Sequence, residues 1–157
     1  MPNGKFKTIL LAEDNENDVE LTLTALKECH LSNDVEVVRD GAEALDYVYR
    51  QGKYSERENG LPCVILLDLK MPKVDGHEVL RQIKSDPVLR HIPVVVLTSS
   101  REEKDLVLSY DLGVNAFVVK PVDFQQFIEA IKNLGMFWAL VNEPSPIKPI
   151  PGSFPKT

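Results

Sequence analysis

The 157-residue sequence contains only two cysteines, Cys29 and Cys63. Neither forms a CxxC pair or has His or Cys at zinc-ligand spacing, which excludes a disulfide scaffold and a structural zinc site. Both are expected to be buried thiols in a reducing compartment. Long apolar runs are also missing, and nothing approaches the roughly 18–20 residues of a membrane span. The short run Ile9-Leu10-Leu11-Ala12 meets acids at once, unlike a secretion signal. These absences point to a cytoplasmic protein without membrane contact. Positive charge is scarce too: 18 Lys and Arg against 24 Asp and Glu leave a net −6. Such a balance argues against direct nucleic-acid binding, which draws on clustered basic side chains. With 43% hydrophobic and 27% charged residues, the chain is globular in composition, and one domain of this size buries about two-thirds of its unfolded surface.

What is present is alternation. Thr8 to Ala12, Val35 to Arg39, Cys63 to Leu67, Val94 to Leu97 and Ala116 to Val119 are short β-branched or aliphatic runs, mostly apolar, as strands of a parallel sheet buried on both faces are. Between them, apolar residues recur at helical spacing: Val19, Leu23, Leu26; Ala42, Leu45, Tyr49; Val79, Leu80, Ile83; Leu106, Leu108, Leu112. A last helix is expected from an Asp123 cap, carrying Phe124, Phe127, Ile128, Ile131, Leu134 and Trp138 on one stripe. Five strand–helix units predict an α/β fold, a doubly wound five-stranded parallel sheet with a C-terminal extension, for which the strand order taken is 2-1-3-4-5.

In such a sheet, ligands gather at the carboxyl ends of the strands, near the point where strand order reverses. The first strand leads into Glu13 and Asp14, the third into Asp68, the fourth into Thr98, and the fifth into Lys120-Pro121. The second would end at the sheet edge, away from the others. Three carboxylates against one ammonium leave a formal −2, and oxygen-only donors select a hard divalent ion, Mg²⁺ above all. With that charge neutralised, Asp68 can attack phosphorus to form an aspartyl-phosphate, while Thr98 and Lys120 contact phosphoryl oxygens. The Lys120-Pro121 bond suits a cis peptide that turns the lysine inward.

The segments Leu11-Ala-Glu13-Asp14-Asn15, Asp68-Leu-Lys70-Met-Pro-Lys-Val-Asp-Gly76, Leu97-Thr98-Ser-Ser and Val119-Lys120-Pro121 together resemble the motif set of two-component response-regulator receiver domains (CheY-like), over roughly residues 6 to 135. The resemblance implies that Asp68 is the phosphoacceptor and that Glu13, Asp14, Asp68 and the main-chain carbonyl of Lys70 hold Mg²⁺. Glu13 stands where the family more often has Asp, and the longer acid is expected to reach the ion through water. Thr98 and Lys120 would read the phosphoryl group, with Thr98, Phe117 and Pro121 at switch positions. The implied function is a stand-alone phospho-accepting signalling domain that assists its own phosphorylation and dephosphorylation without being a conventional enzyme. An aspartyl-nucleophile phosphohydrolase is the alternative, but that family wants a second acid two residues after the nucleophile, where this chain has Lys70. A phosphorylation-independent interaction module should have lost part of the acid set, and none is lost.

A polar segment from Arg50 to Leu61 reads as a surface loop, and five prolines between Pro144 and Pro155 mark an extended tail. The division expected is a receiver domain over 6–142 and a Pro-rich tail over 143–157. These two features resemble the single-domain response regulators of cyanobacterial phytochromes, implying a phytochrome-type histidine kinase as phosphodonor and homodimerisation. The apolar cluster of Phe137, Trp138 and Val141 either folds back on its own domain or meets a second copy, and the second is the expected interface. His30, His77 and His91 lack ligand spacing and are read as structural.

Overall fold

A computed structural model describes residues 8–28, 34–58, 60–99, 112–114 and 116–133. Five strands, β1 (Ile9–Ala12), β2 (Val35–Val38), β3 (Val64–Asp68), β4 (Val94–Thr98) and β5 (Ala116–Val119), form one parallel sheet of order β2-β1-β3-β4-β5. Four helices are described: α1 (Glu16–Glu28), α2 (Gly41–Tyr49), α3 (Gly76–Ser85) and α4 (Phe124–Asn133). This is the expected order and class. The expected helix around Leu106 and Leu108 lies outside the described residues, as do His30, Cys29, Phe137, Trp138, Val141 and the whole proline tail.

Strand alternation sorts the core into two layers. Leu10, Ala12, Ile65, Leu67, Val94 and Val96 face α2 and α3, while Ile9, Leu11, Val64, Leu66, Val95 and Leu97 face α1 and α4. All these side chains are fully enclosed, which is why β1, β3 and β4 read as unbroken apolar runs rather than as alternating ones. Cys63, expected to be buried, is only half-buried because it lies at the entry to β3, before the strand passes beneath the helices.

Helix starts follow side-chain caps. Asn15 Oδ1 accepts from the Asp18 amide at 2.9 Å, Asp40 Oδ1 from Glu43 at 2.7 Å, Asp75 Oδ1 from Glu78 at 3.0 Å, and Asp123 Oδ1 from Gln126 at 2.8 Å. The Asp123 cap stands where the sequence places it.

Two glycines fix how tightly the site is built. A Cβ on Gly76 would lie 2.3 Å from the Asp68 carbonyl oxygen, and one on Gly41 would lie 1.7 Å from that of Val74. The loop after β3 is therefore pressed between Asp68 and the start of α2, and only glycine permits either approach.

The segment after α2 is more ordered than a loop reading suggests. Arg50 adopts a left-handed conformation (φ 57°), and Gly52–Tyr54 form a 3₁₀ turn. Tyr54 meets the Tyr47 ring edge-on at 5.0 Å between centroids and donates its hydroxyl to Glu43 at 2.7 Å. Arg57 stacks 4.0 Å above Tyr47 and donates twice to its carbonyl oxygen, at 3.2 and 2.7 Å. These contacts fold the segment back onto α2.

Candidate functional site

Asp68 and Thr98 are the last residues of β3 and β4, so their side chains leave the sheet where its apolar layers end, yet both remain buried. Lys120 follows β5 directly, and its amide donates to the Thr98 carbonyl oxygen at 2.9 Å. The Lys120-Pro121 peptide is cis. Glu13 follows β1, is completely enclosed, and accepts the Asn15 amide at 3.2 Å. Four neighbouring strand ends thus converge on one crevice.

The Lys120 ammonium is the electrostatic centre of the crevice. It lies 2.8 Å from Glu13 Oε1, 3.0 Å from Asp18 Oδ2 and 3.4 Å from Asp68 Oδ1, with a side chain only 10% exposed. Burial pushes the Glu13 carboxyl up to about 7, against the pull of Lys120 and with help from the nearby Asp68 charge. Asp68 is also raised, chiefly by burial, although Lys120 and the Lys70 amide oppose this. Burial by itself would lower Lys120, but the surrounding carboxylates hold its ammonium above the ordinary value. One cation is shared by more acids than it can neutralise.

Oxygens of Glu13, Asp14 and Asp68 lie within 4.8 Å of one another. Among the described residues, this all-oxygen, net-negative donor set fits a hard divalent cation. Glu13 and Asp68 are buried and Asp14 is exposed, so the set opens to solvent on the Asp14 side. The Lys70 amide donates to Asp68 Oδ1 at 3.3 Å, which orients the carboxylate from the loop side.

Phe117 and Pro121 are apart from this charge cluster. Phe117, opposite Val96 in the ladder, is half-buried and packs against the α2–α3 layer, while Pro121 is exposed. His77 lies in α3 and His91 in a 3₁₀ turn, neither in the acid cluster.

Asp18 was not anticipated. It lies among Glu13, Asp14, Glu16 and Glu20 in a stretch that reads as a solvated acidic helix start, and its partner is 102 positions away. The available signal was its place in the first turn after β1, on the end of the sheet where the other acids gather.

A doubly wound sheet with acids after β1 and β3, a threonine ending β4 and a lysine after β5 has the make-up of a receiver domain. The chain belongs to the response-regulator receiver family, whose model, the response regulator receiver domain, matches residues 9–132. It is similar to the solved bacteriophytochrome response regulator AtBRR, at 64% identity and a TM-score of 0.81, over 90% of this chain and all of that one. It is also similar to the response regulator Rcp1 of Synechocystis sp., at 39% identity over 84% of this chain and 88% of Rcp1. A crystal structure of the Mn²⁺-bound form of Rcp1 superposes with a TM-score of 0.72 at 38% identity, covering 90% of this chain and 99% of that one. The phosphorylated cyanobacterial phytochrome response regulator RcpA superposes equally well, with a TM-score of 0.72 at 44% identity, over 88% of this chain and 99% of that one.

Proposed function

We propose that this receiver domain accepts a phosphoryl group on Asp68 from a histidine kinase of the phytochrome type and signals through the altered surface. The observation that carries the reading is the buried Asp68 carboxylate at the end of β3, facing the Lys120 ammonium and sharing a cluster with Glu13 and Asp14. The phosphorylated state described for RcpA and the metal described for Rcp1 support it by likeness.

An Asp68 oxygen attacks phosphorus, a P–O bond forms, and the P–N bond to the kinase's histidine breaks, with the imidazole leaving. Glu13, Asp14, Asp68 and the Lys70 carbonyl would hold Mg²⁺, which supplies the positive charge that lets a phosphoryl group approach a carboxylate. Lys120 pairs with one phosphoryl oxygen and the Thr98 hydroxyl donates to another. Enclosure of Asp68 limits access of water to the product. The added charge of about −1.5 to −2 draws Thr98 and Lys120 together and biases the neighbouring Phe117 and Pro121. The domain assists its own phosphorylation and dephosphorylation, and the partners are the kinase and a second copy of the chain. Residues 6–142 form the receiver unit and 143–157 the tail. The site leaves a cytoplasmic setting natural, and among the described residues no helix is long and apolar enough to cross a membrane.

The full chain incubated with Mg²⁺ and a small acyl-phosphate donor should take up label that hydroxylamine releases, as an acyl phosphate requires, and should take up none when Mg²⁺ is chelated. Label that survives hydroxylamine, or appears without a divalent ion, would contradict the reading.

A further inference from the structure

We propose that Asp18 is a positioning residue that holds Lys120 on the α1 side of the pocket, and so limits how fully the phosphorylated form of Asp68 is populated. The proposal rests on the reading of Asp68 as acceptor.

The Lys120 ammonium has three protons and three carboxylates around it. Glu13 at 2.8 Å and Asp18 at 3.0 Å lie within hydrogen-bond distance, whereas Asp68 at 3.4 Å lies beyond the usual range. The ammonium thus donates to Asp18 and is ion-paired closely with Glu13, the two acids that do not receive the phosphoryl group. Of these, Glu13 belongs to the oxygen cluster suited to a cation, while Asp18 stands outside it. Asp18 Oδ2 accepts a hydrogen bond from the Lys120 ammonium.

Asp18 is well placed to hold. Its amide is capped by Asn15 Oδ1, and it lies in the first turn of α1, where the helix dipole favours a carboxylate. The side chain is 26% exposed, and it ties α1 to the β5–α4 junction. Two effects then act in the same direction. Lys120 must loosen from Asp18 to engage a phosphoryl oxygen fully, and the Asp18 charge repels the incoming phosphoryl charge. Removing the Asp18 charge therefore favours the phosphorylated form.

The test uses the full chain with lysine isotope-labelled for NMR, comparing wild type, Asp18→Asn and Asp18→Glu. In the unphosphorylated protein, the Lys120 side-chain resonances should move in Asp18→Asn and return most of the way in Asp18→Glu, whose carboxylate can reach the same ammonium. With Mg²⁺ and a limiting acyl-phosphate donor, the ratio of phosphorylated to unphosphorylated protein should rise about two- to fivefold in Asp18→Asn, the scale of a partly exposed ion pair, and stay near wild type in Asp18→Glu. Unmoved Lys120 resonances, or an unchanged or lower ratio in labelled Asp18→Asn, overturn the inference and leave the acceptor reading intact. A wild-type protein that takes no label defeats the acceptor reading together with the effect on phosphoryl population, while displaced Lys120 resonances would still uphold the restraint by Asp18.

Discussion

At the scale of single residues, the site is a charge imbalance held in place by packing. Glu13 is fully enclosed and Asp68 nearly so, and burying two carboxylates is tolerable only because Lys120 lies between them. Removing that ammonium leaves charges without a partner. Lys120→Met should cost about 2–3 kcal/mol in urea unfolding at neutral pH, somewhat below the ~3–5 of a fully enclosed pair because Lys120 keeps a little solvent contact. Added Mg²⁺ should recover part of the loss. A variant as stable as wild type would show that the acids relax into solvent instead. Most of these residues were legible from sequence alone, since a charged side chain directly after a buried apolar run has few places to go but the sheet's carboxyl edge. Asp18 was not, because nothing in a run of helix-start acids says which one meets a lysine from the far end of the chain. The Glu13 pairing with Lys120 was also beyond reach, as the sequence reading assigned that acid to the metal alone.

At the scale of elements, backbone closeness positions the acceptor. Gly76 lets the loop after β3 return against the Asp68 carbonyl, and its amide donates to the Leu69 carbonyl oxygen at 2.8 Å. Gly76→Ala should lose about 1–3 kcal/mol through overpacking and should also slow labelling by displacing Asp68. Labelling at the wild-type rate would show that the loop yields without moving the acceptor. The segment after α2 makes a different point. Its polarity and glycines read as a loop, yet Tyr54, Lys53 and the Arg39 amide all converge on Glu43. Such partners are set by tertiary contact, which local pattern does not encode. Burial raises the Glu43 carboxyl, but the Arg39 amide, Tyr54 hydroxyl and Lys53 ammonium outweigh it and leave the group below its ordinary value of 4.5. A lowered folded pKa means that the charged form favours folding: the contribution is complete above the ordinary value and fades as pH falls through the lowered one. Glu43→Gln should therefore be less stable than wild type at pH 7, with the gap closing in unfolding curves taken at pH values progressively below the ordinary carboxyl value of 4.5. A gap that does not change with pH would assign the effect to packing instead.

At the scale of the whole molecule, the parallel sheet and its two core layers follow from the alternation of apolar runs and helical stripes. Right-handed crossovers then set on which face of the sheet each helix packs. The inner strands β1, β3 and β4 were the clearest because they are enclosed on both faces. If Phe137 and Trp138 join two copies, Trp138→Ala should shift sedimentation toward the monomer at micromolar concentration while leaving labelling unchanged. A dimer that persists would place the contact elsewhere. The central claim is the acceptor itself, and intact-protein mass spectrometry after incubation with Mg²⁺ and an acyl-phosphate donor tests it most directly. The wild-type chain should gain one phosphoryl group, mapped to the peptide containing Asp68, and Asp68→Asn should gain none; equal gain by the variant would contradict the account.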